Sequence, residues 1–157
     1  MKNVLISTIL LLIFIQISVA QTPNRNKQVV KGYFEEVINK QKPERLTEFF
    51  SNDFLYYDLG SFTERKGLKH LQDVYPLFFK AFPDVHFSVE NIIAEGDQVF
   101  AQITFTATHR AEFAGFSATN NKVKITEMYY FKLKDSKVVE AKRLIDFYNF
   151  SKQLTGK

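Results

Sequence analysis

The spacing of the apolar residues changes for the rest of the chain near Phe82, and that change constrains the fold more than any other feature. Before it, Val30, Phe34, Val37 and Ile38 recur at helical spacing, predicting an amphipathic helix from Gln28 to about Gln41. Pro43 suits the first position of a second short helix that places Leu46, Phe49 and Phe50 on one side. Asp53 to Asp58 reads as a short strand and Gly60 to Lys66 as a polar loop. Leu68, Leu71, Tyr75, Phe78 and Phe82 mark a third helix, which Pro76 should kink or split because it removes an amide donor. From Val85 onward the period is two, with turn residues at Glu95-Gly96-Asp97, Asn120-Asn121 and Asp135-Ser136. Helices followed by an antiparallel meander predict one α+β domain, its helices packed on one face of the sheet. Thr22 to Lys27 reads as a loose arm, and Asn149 to Gly156 as a short helix or a frayed tail.

Composition sets the compartment and excludes several classes of function. Met1 to Ala20 has one lysine, an uncharged run from Val4 to Val19, and small residues in Ser18-Val19-Ala20, the pattern of a secretory signal cleaved before Gln21. An uncleaved anchor is the alternative, but the run is short for a span that needs roughly 20 residues. The expectation is a periplasmic or secreted protein whose mature part, residues 21–157, is a single domain. There is no cysteine, so neither a disulfide nor an acylated thiol is available and packing alone must stabilise the exported domain. A net charge of +4 spread over dispersed Lys and Arg residues gives no basic run, so nucleic acid is not an expected partner. The three histidines are scattered, and no metal-ligand spacing, nucleophile motif, phosphate loop or dinucleotide fingerprint is present. The chain has 17 phenylalanines and seven tyrosines, which suit either a ring-lined cavity or a solid aromatic core.

Strand parity singles out the polar residues that share apolar faces. In the long strand, Val99, Ala101, Ile103, Phe105, Ala107, His109 and Phe113 have one parity, so His109 extends an apolar face toward its open end. It is either a satisfied core histidine or a pocket group that acts as a base or donates to a ligand carbonyl. In the next strand Glu127 is the one charge among Val123, Ile125, Tyr129, Phe131 and Leu133. Arg143 is likewise the one charge on its face of the final strand, so parity offers a Glu127/Arg143 pair, either a structural ion pair or part of a pocket with Tyr129. Phe113 and Phe116 flank Gly115 in a loop suited to lie over a cavity mouth. His86 and Asp58 stand near strand ends and read as turn or rim residues.

Four segments then carry a resemblance. Ala81-Phe82-Pro83-Asp84, the run Ile92 to Val99 with its Glu95-Gly96-Asp97 turn, Thr108-His109-Arg110-Ala111-Glu112-Phe113-Ala114-Gly115, and Ser136 to Asp146 resemble, in order and spacing, the marks of the SnoaL-like polyketide cyclases. These are also called ester cyclases and belong to the ketosteroid-isomerase-like group; the resemblance spans Val29 to Gly156. It implies a cone-shaped, cystatin-like fold with N-terminal helices on a curved antiparallel or mixed sheet, and a homodimer. It also implies a small, largely apolar carbonyl ligand, with cyclase, isomerase or hydratase/dehydratase chemistry that needs no cofactor. Asp146 would be the acid/base residue and His109 would polarise or orient the ligand oxygen. Simple alternation puts Asp146 on the face opposite Arg143, which a bulge near Leu144 to Asp146 would reconcile; otherwise Asp146 is a surface residue at a strand end. The sequence departs from the family where Ala141-Lys142 replaces a His-Trp pair, where Ala118-Thr119-Asn120 replaces a Pro-Thr-Gly turn, and where Tyr57 replaces a first-strand histidine. These changes leave room for the rival reading, a non-catalytic module for binding a hydrophobic ligand or for dimeric assembly.

Overall fold

A computed structural model of the chain describes residues 23–156; the expected signal segment Met1–Ala20 and its cleavage point before Gln21 lie outside them. The described residues begin with helix α1, residues 23–32, which widens into a π-helix over Tyr33–Asn39. A 3-10 turn, Pro43–Arg45, leads into the single-turn α2, Leu46–Phe49. Strands β1 (Phe50–Asp58) and β2 (Thr63–Lys66) follow, then α3 (Lys69–Ala81). The rest is the meander β3 (His86–Glu95), β4 (Gln98–Thr108), β5 (Lys122–Lys134) and β6 (Lys137–Ile145), closed by α4 (Phe147–Thr155). The six strands form one sheet in the order β2-β1-β6-β5-β4-β3. Only β1 and β6 run parallel, so the sheet is mixed and the domain is α+β, as its apolar pattern predicts.

Burial follows strand parity. Along β4, Val99, Ala101, Ile103, Phe105 and Ala107 are buried and the residues between them are not, while Thr108 at the strand end is buried as well; β5 repeats the alternation from Val123 to Leu133. Against this face α1 sets Tyr33, Phe34, Val37 and Ile38, four buried residues within the π-helical stretch. The Phe34 ring stacks on Phe87 at 5.8 Å and meets Tyr129 and Phe131 edge-on. Burying each such ring stabilises the fold by roughly 1.5–3 kcal/mol.

Several expectations change in detail. Residues 23–27, read as a loose arm, are helical. The polar stretch read as a loop contains β2, an edge strand whose side chains are nearly all exposed and so leave no apolar alternation. Pro76 sits on the exposed side of α3, which continues as one helix. Asn120-Asn121 is not a tight hairpin: residues 109–121 leave the sheet and return, with the His109 amide donating to the Asn121 carbonyl and the His109 carbonyl accepting from the Asn120 amide. The terminal segment is helical, capped by the Asp146 carboxylate at one end and by Gly156 at φ 70° at the other.

Candidate functional site

The core is not solid. Between α1, α3, α4 and the sheet lies a cavity of about 310 Å³, lined mostly by aromatic rings. Its polar groups gather where β1, β6 and β5 run side by side. Asp58 pairs in register with Arg143, and Arg143 with Tyr129, so the three side chains form one row across the sheet. The Arg143 guanidinium donates twice to Glu127, from Nε to Oε2 at 3.0 Å and from Nη2 to Oε1 at 2.8 Å. The Tyr129 hydroxyl donates to the same Oε2 at 2.6 Å. Glu127 is only 2% exposed, and three donors satisfy both of its oxygens. Burial alone would lower the Arg143 pKa, but the charge and hydrogen bond of Glu127, together with Tyr129 and Tyr56, more than reverse this and hold it well above its ordinary value. Burial also raises the Tyr129 phenol, with Glu127 adding to the rise, so it remains a donor.

Asp58 completes this wall differently. Its Oδ1 accepts from the Gly60 and Ser61 amides and from the Ser61 hydroxyl, an Asx turn that fixes the carboxylate. Its Oδ2 has only distant neighbours, the Tyr56 hydroxyl at 3.5 Å and Arg143 Nη1 at 4.0 Å. One oxygen is thus held by the backbone, and the other has capacity left beside a cation.

Two further groups of the cavity wall come from the helices. His70, at the start of α3, donates from Nδ1 to the Gly67 carbonyl at 3.1 Å and packs against Phe54 and Tyr56. That tautomer leaves Nε2 an acceptor, and it has no partner. Burial lowers the His70 pKa, although the bond to Gly67 opposes the shift. Tyr33 of α1 and Tyr75 of α3 join their hydroxyls at 2.5 Å. The sequence reading missed His70, Tyr33 and Tyr75 as site residues. Tyr75 was assigned to the apolar face of its helix, and Val74 and Phe78, four and eight residues after His70, also line the cavity. That helical spacing was the available signal.

The residues singled out from the sequence divide into two groups. Glu127, Arg143, Tyr129 and Phe113 line the cavity together. His109, Asp146 and Phe116 are not part of its wall. His109 is fully buried, stacked on Phe82 at 5.4 Å, with Nδ1 at 3.2 Å from the Thr119 hydroxyl and Nε2 unpartnered. Burial lowers its pKa, so it is a neutral packing residue here. No bulge turns Asp146 inward, because the β5–β6 register is regular through Glu127↔Ile145 and the strand ends there. Asp146 is exposed and accepts from the Asn149 amide at 2.9 Å as the α4 cap. Phe116 bridges to Phe113 through the backbone and sets its ring near Phe147. His86 is exposed at the start of β3. Asp84 of the Ala81–Asp84 turn ties α3 to the end of β4, accepting from the Thr108 amide at 2.7 Å and its hydroxyl at 2.6 Å. Among the described residues no group of three or more His, Asp or Glu side chains is arranged to hold a metal ion.

The arrangement of sheet and helices agrees with what comparison finds. The sequence model of the SnoaL-like polyketide cyclase family matches residues 28–154, and the chain belongs to that family. Its fold is similar to that of a protein from Jannaschia sp. CCS1 assigned as a SnoaL-like polyketide cyclase, with TM-score 0.79 and 22% identity over 87% of this chain and 95% of that one. AclR from Streptomyces galilaeus, assigned as a hydroxylase, has TM-score 0.76 and 26% identity over 86% of this chain and 83% of its own. IdmH from Streptomyces antibioticus, assigned as a polyketide cyclase, has TM-score 0.72 and 23% identity over 83% and 98%. None of the curated proteins is similar enough in sequence to count as a match.

Proposed function

We propose that this is an exported protein that binds a small, largely apolar carbonyl compound and moves a proton on it by acid/base chemistry without a cofactor. One observation carries this reading: an aromatic-lined cavity of about 310 Å³ whose ionisable groups Asp58, Glu127 and Arg143 are gathered on one wall. The volume is at the small end of the roughly 300–1,000 Å³ typical of ligand sites. Asp58 is the proton-transfer group. Its Oδ2 takes a proton from the carbon next to the carbonyl, the C–H electron pair moves into the enolate, and the proton returns to carbon from the same oxygen. Arg143 stabilises the charge that develops nearby, and Glu127 holds Arg143 in place by two bonds. The assignments of similar folds as cyclases and a hydroxylase fit a shared cavity serving more than one reaction, since fold alone does not fix function.

The test is hydrogen exchange of 2-tetralone in heavy water, followed by NMR. The wild type should exceed the buffer rate, Asp58→Asn should lose about a hundredfold or more of that excess, and Asp146→Asn should keep it. No acceleration with any of a panel of enolisable ketones would remove the proton-transfer reading.

A second reading is a non-catalytic binder. The complete bonding of Glu127 favours it, since that carboxylate has no oxygen left for a reaction. A hydrophobic compound that co-purifies by mass spectrometry without turnover would support it. Pairing of two copies through the outer sheet face, where Ile93, Phe100 and Leu144 are exposed, completes the proposal and is checked by light scattering.

A further inference from the structure

The cavity contains a hydrogen-bond donor that the protein itself leaves unused. The hydroxyls of Tyr33 and Tyr75 carry two protons between them, and the bond joining them at 2.5 Å uses one. Neither oxygen has another hydrogen-bond partner among the described residues, and both side chains line the cavity. Burial holds both phenols well above the ordinary tyrosine value, so neither gives up its proton near neutrality. One O–H therefore has no acceptor in the protein and is free for one that enters the cavity.

The surrounding chemistry limits what that acceptor is. The donor is neutral and single, and the charges on the cavity wall, Asp58 and Glu127 against Arg65 and Arg143, balance, so the site offers an anion no surplus positive charge. We propose that the Tyr33–Tyr75 hydroxyl pair anchors one neutral acceptor oxygen of the ligand, the carbonyl of a ketone or ester. This rests on the reading above only in taking the ligand to be a carbonyl compound, and it assigns that oxygen a site on the helices. The pair also has a built-in redundancy. Either oxygen can donate to the other, so removing one hydroxyl frees the remaining O–H for the ligand, and only removing both abolishes the anchor.

The experiment compares 2-tetralone with its hydrocarbon analogue tetralin in the wild type, Tyr33→Phe, Tyr75→Phe and the double variant. Each single variant should hold 2-tetralone within about threefold of the wild type, and the double variant should bind it roughly tenfold more weakly, the range of one neutral hydrogen bond. Tetralin affinity should be the same in all four. The infrared carbonyl stretch of bound 2-tetralone should be lowered in the wild type and both single variants and should move back up in the double. Equal weakening of both compounds, a carbonyl stretch that does not move, or failure of the wild type to bind 2-tetralone would overturn the anchor. The two readings separate cleanly. A lowered stretch without proton exchange keeps the anchor and removes catalysis, whereas exchange in a double variant of unchanged ketone affinity keeps catalysis and removes the anchor.

Discussion

Glu127 and Arg143 show how a buried charge constrains its neighbours. The carboxylate is almost wholly enclosed, and its position is tolerable only because the guanidinium and the Tyr129 hydroxyl satisfy it. Replacing Arg143 by Met should therefore cost about 3 kcal/mol, the lower end for breaking such a pair because the arginine is 27% exposed. Removing both charges, as Arg143→Met with Glu127→Leu, should recover part of that loss. Urea unfolding measures both, and a double variant no more stable than Arg143→Met would contradict the account. The buried histidines give a second test at this scale. His70 and His109 both bind a proton less readily folded than unfolded, because burial disfavours their charged forms. They leave stability unchanged above the unfolded value of about 6.5, and stability falls as pH drops from there toward their lowered folded values. Arg65 deepens the shift at His70, while Asp73 and the Gly67 carbonyl reduce it. The urea midpoint should fall between about pH 7 and about pH 5, and His109→Leu should flatten the fall. A variant with the wild-type slope would show that His109 is not its source.

At the scale of elements, α3 brings together what the sequence shows and what it hides. Its apolar spacing is legible, and Leu71, Tyr75 and Phe78 do face the cavity. Pro76 reads as a break, yet the helix runs from Lys69 to Ala81 with the proline on its exposed side. An interior proline costs about 3 kcal/mol in a helix and returns up to about 1 kcal/mol by restricting the unfolded chain. Pro76→Ala should thus raise stability by about 2 kcal/mol, seen as a higher Tm; an unchanged or lower Tm would mean that tertiary contacts already offset the penalty. Other elements explain the remaining gaps in legibility. The Glu127/Arg143 partnership was readable because each is the one charge on an alternating apolar face. Asp146 was misleading because resemblance gave it a role that local geometry does not follow: β6 stops at Ile145, and the aspartate caps α4 instead. His109 keeps the parity of β4 but packs behind Phe82, since parity gives the face of a sheet and not which part of that face borders a void. The Tyr33–Tyr75 bond joins residues 42 positions apart on two helices, a pairing no local pattern encodes.

For the whole molecule, the decisive property is that space is kept open in an otherwise close-packed interior. A void forfeits contacts, and filling an apolar one is favourable when no neighbour has to move. Ala141 is the position to use. It stands where the resembling family has a histidine, it is 3% exposed, and it lines the cavity between its register partners Tyr56 and Phe131. Ala141→Leu adds three carbons to a space that has room for them, each worth up to about 0.8 kcal/mol. Stability should rise by about 1–2 kcal/mol in urea unfolding, and affinity for 2-tetralone should fall at least tenfold, because the new side chain takes the space the ligand needs. In the wild type, 2-tetralone at a hundred times its Kd should add about 2.7 kcal/mol of stability, and in Ala141→Leu far less at the same concentration. A solid interior predicts the opposite pattern. Overpacking would then destabilise Ala141→Leu by about 1–3 kcal/mol, with no ligand stabilisation in either protein. The two results differ in sign, so one pair of unfolding curves, with and without ligand, decides whether the open core of this domain serves to hold a molecule.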